Sequence, residues 1–120
     1  MELPGFEAVV LEESFVLGIQ ATPGEVIFDI ELALTPEHPA YAPPPPTENE
    51  CFRAGRVSFI KVRRLIWEGQ GAPPATDASG EVDFGHIDSL VWEGDAFRLE
   101  GDWGRMEVSA ERAQLEISAT

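Results

Sequence analysis

The chain has 120 residues, 43% of them apolar, and sets 22 acidic against 8 basic side chains for a formal charge of −14. That length fits one domain, residues 1–120, with a core that needs no disulfide or structural metal. Cys51 is the only cysteine, which excludes an internal disulfide. So negative a field repels nucleic acid and anionic membranes, and no run reaches the roughly eighteen apolar residues of a membrane-spanning helix. The N-terminal residues lack the basic flank and apolar run of a signal peptide. With the lone cysteine, this predicts a cytoplasmic protein.

The first expected strand begins near Phe6 and runs to Leu11, where Glu12-Glu13 interrupts it. Ser14 to Gln20 then alternates, with Phe15, Leu17 and Ile19 in phase. Gly18 has no side chain to pack and marks a bulge or a close backbone approach. Pro23-Gly24 predicts a turn. Glu25 to Leu34 carries the clearest signal in the chain: Val26, Phe28, Ile30, Leu32 and Leu34 occupy every second position, while Glu25, Asp29 and Glu31 take the other. Successive strand side chains point to opposite faces, so this spacing builds one apolar face and one mainly acidic face. It predicts a hairpin with the preceding strand.

Residues 35–49 break the pattern. Pro43 to Pro46 are consecutive, and proline lacks the N–H that a ladder needs, so an exposed proline-rich loop is expected. Within it, His38 and Tyr41 are ring-bearing candidates for contacting a partner, although anchoring of the loop by Tyr41 is the simpler role. Cys51 to Trp67 returns to strand character. Val57, Phe59, Leu65 and Trp67 share a phase that Ile60 and Val62 break, which predicts either burial on both faces or a bulge near Arg63-Arg64. Five of the eight bases fall here: Arg53, Arg56, Lys61, Arg63 and Arg64. Cross-strand pairing with Asp29 and Glu31 is the ordinary expectation, and an anion site is the functional one.

Gly69 to Gly80 reads as a polar surface loop. Beyond it a meander is predicted: Ile87–Glu93, Ala96–Glu100, Arg105–Ser109 and Gln114–Ser118, with turns at Gly94-Asp95, 101–104 and 110–113. Glu111 to Glu116 also has the length of a single helical turn. Leu65-Ile66-Trp67-Glu68-Gly69 is echoed by Leu90-Val91-Trp92-Glu93-Gly94, which suggests two similar strand ends lying side by side. Short alternating runs at intervals of about ten residues predict an all-β fold: a single-domain antiparallel sandwich or partly open barrel of about seven or eight strands.

No catalytic motif stands out. Cys51 has no histidine near it in sequence, and a structural or idle cysteine is the expectation. His86 and Asp88 share a strand face and are weak metal candidates, with Asp83 pointing the other way and no established ligand spacing. No cofactor is expected, because no glycine-rich phosphate loop leads into a helix. The leading expectation is therefore a non-catalytic acidic protein that binds a basic protein partner or self-associates as a homo-oligomer. The alternative is a small-molecule-binding barrel, possibly enzymatic, that uses the paired carboxylates Asp29 and Glu31 with Lys61, Arg63 and Arg64.

Overall fold

The computed structural model describes residues 5–46, 50–71, 73–76 and 82–118, and within them the chain forms strands and turns and no helix. The strands are β1 (Val9–Thr22), β2 (Glu25–Leu34), β3 (Cys51–Ile60), β4 (Arg64–Glu68), β5 (Ala75–Thr76), β6 (Val82–Asp83), β7 (Ile87–Glu93), β8 (Ala96–Gly101), β9 (Gly104–Ser109) and β10 (Arg112–Ile117). All pairings are antiparallel. One four-stranded sheet has the order β1-β2-β3-β10 and a second has β4-β9-β8-β7, while β5 and β6 form a small hairpin. The fold is an all-β sandwich that approaches a partly open barrel. Setting aside the two-residue strands β5 and β6, its strand number matches the sequence reading.

The alternation in β2 does what its spacing predicts. Val26, Phe28, Ile30 and Leu32 are fully buried, and they meet Phe59 and Val57 of β3 in register. From the other sheet come Phe97, Leu99, Met106 and Val108, also fully or almost fully buried. Aromatic rings tie the layers together. Phe28 meets Trp103 edge-on with centroids 5.2 Å apart, and Phe59 lies 5.1 Å from Phe97. Offset and edge-on pairs of this kind add to the stabilisation from burial alone.

The two sheets are wired alike. Exchanging β1, β2, β3 and β4 with β7, β8, β9 and β10 turns the order of one sheet into that of the other. Each half opens with a hairpin closed by a left-handed glycine, Gly24 or Gly94. Each first strand carries a register shift just after a buried residue, Val16 in β1 and Ile87 in β7. Each half sends its last strand into the opposite sheet, so β4 completes the sheet of β9 and β10 that of β3.

Several expectations are corrected. Cys51 to Trp67 is not one bulged strand: Lys61 adopts a left-handed φ of 57°, and the chain turns a corner from one sheet to the other. Phe15, Leu17 and Ile19 do not share a face. The register shift between Val16 and Gly18 flips the phase, so Val16 is buried and Leu17 is 45% exposed, while Ile19 packs against the core. Glu12-Glu13 does not end a strand; β1 continues through it as an irregularity. Residues 112–116 form strand, not a helical turn, because the backbone pairs with β3. The Trp-Glu-Gly strands β4 and β7 are not neighbours; they lie on opposite edges of one sheet. Part of the expected 69–80 loop, residues 72 and 77–80, lies outside the described residues, as do 47–49 of the proline-rich loop.

Two glycines test the packing. A Cβ on Gly55 would lie 2.5 Å from the Glu116 carbonyl oxygen and 2.6 Å from Leu32 Cδ1, whereas one on Gly18 would meet only Asp29 Oδ2 at 3.8 Å. Gly55→Ala is expected to cost about 1–3 kcal/mol in urea unfolding through overpacking. Gly18→Ala is expected to be neutral or to gain up to about 1 kcal/mol by restricting the unfolded chain.

Candidate functional site

The sequence-derived candidates separate into groups at the two ends and the middle of β2. Lys61, Arg63 and Arg64 sit at the corner beside the Gly24 turn, where Val62 N–H donates to Gly24 O at 2.9 Å. His38 and Tyr41 follow the other end of β2. Its ten residues separate the two groups by roughly 30 Å at the usual strand rise.

The basic cluster is mostly paired. Lys61 Nζ lies 3.3 Å from Glu111 Oε2, and Arg63 Nη2 lies 2.7 Å from Asp95 Oδ2. Arg64 is exposed opposite Ser109. Arg53 shares a face with Leu32 at the margin of the core, and its guanidinium reaches back to Phe52 O at 3.1 Å. Asp29 and Glu31 project from the outer face of the sheet, away from the packed interior. Asp29 Oδ1 accepts from Arg56 Nε at 2.9 Å, directly across the ladder. The expected cross-strand pairing is therefore present for Arg56 and Asp29. Glu31 sits opposite Ala54 and Phe15.

His38 Nδ1 accepts from Ala40 N–H at 3.0 Å, so its Nε2 carries the proton. It lines an open recess of about 560 Å³ with Gly5, Glu7, Ala8, Thr35, Glu37 and Pro39. Beside it, the Thr35 hydroxyl holds the Glu37 carboxyl below its ordinary range. Tyr41 packs against the core and anchors the loop. Cys51 is buried, and its sulfur accepts from Ala42 N–H at 3.5 Å. His86 Nδ1 donates to Ser14 O at 2.6 Å, which commits that ring to the β1 edge. Asp83 Oδ1 accepts from Gly85 N–H. Among the described residues no three His, Cys, Asp or Glu side chains converge on a metal position.

The structure assembles a group that the sequence reading did not single out. Between Val10 and Phe15, β1 bulges away from β2. Ser14 turns into this bulge and is buried; its hydroxyl donates to Val10 O at 2.7 Å and accepts from Ala33 N–H at 2.9 Å. The bulge presents Glu12 and Glu13 to solvent and brings the Glu13 carboxyl to that of Glu50. Glu13 raises the pKa of Glu50 above its ordinary value, chiefly through a hydrogen bond that requires a shared proton. A smaller contribution from burial and one from direct charge repulsion act in the same direction. On the same outer face Phe15 and Phe52 stack at a tilt with centroids 5.7 Å apart, and the His86 ring lies 4.7 Å from Phe15. Both phenyl rings are half-buried. The signal for this group was available: ten acidic residues and no Lys or Arg precede Arg53.

Among the described residues, the small apolar cleft near Trp67, Trp103, Ile19 and Phe84 holds about 100 Å³, well below the roughly 300 Å³ of ordinary ligand pockets. Both of these indoles are committed: Trp67 Nε1 donates to Trp103 O and Trp103 Nε1 to His86 O. Comparison with protein-family models, curated proteins and solved structures finds no match.

Two measurements check this local reading. Ser14→Ala leaves a buried N–H and a carbonyl without their partner and is expected to cost about 1–3 kcal/mol in chemical unfolding. Glu50 binds its proton more tightly in the folded chain than in the unfolded one, so stability falls as pH rises through its raised pKa. Glu50→Gln is therefore expected to stabilise slightly at pH 7, within about 0.5 kcal/mol for so exposed a residue. That gain is expected to shrink as pH falls below the ordinary value of 4.5, which thermal melts across pH 3.5–7 would show.

Proposed function

We propose that the protein is a non-catalytic binding module that recognises a basic protein partner through the outer face of β1 and β3. The observation that carries this reading is the juxtaposition of Glu13 and Glu50 with the half-buried rings of Phe15 and Phe52. Two carboxyls held close together repel at neutral pH. An arginine or lysine placed between them relieves that repulsion, so the free protein carries a local strain that a cationic partner removes. The two phenyl rings supply an apolar anchor beside the charge. The packed interior supports a surface role over the small-molecule barrel, since Asp29 and Glu31 lie outside the core and the basic cluster is at the corner.

The partner is a protein rather than nucleic acid, because the field of the chain repels phosphate. The test is capture of a defined basic protein (isoelectric point above about 9) at low and high salt, with two charge-matched variants. Glu13→Lys/Glu50→Lys is expected to weaken binding by at least about tenfold, in line with loss of close charge pairs. Glu93→Lys/Glu107→Lys, on the other sheet, changes net charge equally and is expected to leave most of the affinity. Equal losses for the two variants would show that only the mean charge is felt, and this site would then be abandoned.

A further inference from the structure

We infer that the chain pairs with a second copy of itself along the open side of β10, in one defined register. This surface is separate from the Glu13–Glu50 face, and the inference does not depend on that reading. β10 ends its sheet, and among the described residues nothing hydrogen-bonds to its outer side. Ser118 N–H donates to Ala54 O at 2.8 Å. In an antiparallel ladder the residues that exchange bonds with one neighbour alternate with those that face the other side. Residues 112, 114 and 116 therefore bond to β3, and Ala113, Leu115 and Ile117 turn their N–H and C=O groups to the open edge.

The side chains of these same three residues pack against the core, yet they are only half-buried, whereas Val57 and Phe59 on the adjacent strand are fully buried. A further strand would cover them. Pairing β10 with its own copy about a two-fold axis at Gln114 places Ala113 opposite Leu115 of the copy. The open N–H and C=O groups then meet one another, and core-facing side chains stay on the core side. The same register sets Arg112 opposite Glu116, twice, across the axis. Shifting by one residue would turn every apolar side chain to the wrong face. Shifting by two would break both charge pairs.

Charge decides which edge is used. β1 contains two acids and no base, so a second acidic copy is repelled there, and part of its edge is already taken by Gly85 O and Phe84 N–H at Val16. β4 also ends a sheet and also runs from Arg to Glu, Arg64 to Glu68. Just beyond β4, however, Gly71 lines a cleft with Ile19, Trp67, Phe84 and Trp103, which places chain at that end of the strand. β10 combines balanced charge with an edge that no described segment crosses.

The experiment is sedimentation equilibrium of the full chain and its variants over a concentration series, with circular dichroism to confirm folding. The wild type is expected to reach the mass of a dimer and stop there. Glu116→Arg and Arg112→Glu each set like charges opposite one another at two symmetric positions, and each is expected to weaken the dimer by about tenfold. The double variant Arg112→Glu/Glu116→Arg restores opposite charges and is expected to recover wild-type association, while Arg64→Glu leaves it unchanged. A folded wild type that stays monomeric at about millimolar concentration overturns the inference, as does a double variant no better than the singles. Loss of dimer in Arg64→Glu would assign the interface to β4 instead.

Discussion

One antiparallel ladder turns a corner, and the rest of the sandwich hangs on it. β3 runs into β4 through Lys61 to Arg63, and β9 runs into β10 through Ala110 and Glu111, with the partners still side by side on both stretches. Backbone bonds brace the bend: Arg63 N–H to Ser109 O at 2.7 Å, Glu111 N–H to Ile60 O at 3.0 Å, and Ala110 N–H to Asp95 O at 3.0 Å. A ladder that passes from one layer to the other fixes how the two layers face each other. The left-handed backbone of Lys61 is the local cost of the bend, since such a φ is uncommon outside glycine. The ion pairs at the corner, Lys61–Glu111 and Arg63–Asp95, are exposed and weak. They accompany a geometry set by the backbone.

The same wiring explains why the two halves match in position more than in sequence. Arg56 pairs with Asp29 at 2.9 Å in one sheet, and Arg105 pairs with Glu100 at 3.0 Å in the other. In the ladder each arginine also faces a glutamate on the exchanged strand, Glu116 for Arg56 and Glu68 for Arg105. Each outer face therefore carries a row of acid, arginine and acid at equivalent places. Facing residues differ freely elsewhere: Phe59 of β3 stands where β9 has Val108. An interior asks for volume and apolar character, which many residues supply. A cross-strand row of charges asks for particular signs at particular registers.

Strand existence was legible wherever one face is buried and the other wet. β2, β8 and β9 follow their two-residue rhythm, because a sheet with one solvated face imposes it. What the rhythm could not show was where it is interrupted. The shift at Leu17 moves Val16 inward and Leu17 outward, and local sequence gives only Gly18 as a hint. The corner at Lys61 left the odd-numbered phase intact, so one strand and two strands in different sheets look alike in sequence. The echo of Trp67 and Trp92 misled for a different reason. Each tryptophan sits at a strand end where its N–H finds a backbone carbonyl, Trp103 O for one and Gly94 O for the other. Similar local needs gave similar words at opposite edges. Of the candidate site, Asp29 and Arg56 could be paired by reasoning alone. Glu13 and Glu50 could not, since they meet only because β1 bulges.

The distribution of charge carries the last step. The eight bases all lie between Arg53 and Arg112. Those in described ion pairs are spent on the corner, on β3, and on the faces of β8, β9 and β10. β1 itself contains no base, so Glu12 and Glu13 face solvent there, with Glu50 beside Glu13. An acidic protein that needed only solubility could spread its carboxylates apart and lower their mutual repulsion. Here a three-way combination of bulge, strand entry and aromatic pair gathers two of them, and the fold tolerates the resulting penalty. A shared proton or a nearby cation relieves such a pair, and either acts at the one place where the bulge, the strand entry and the aromatic pair meet.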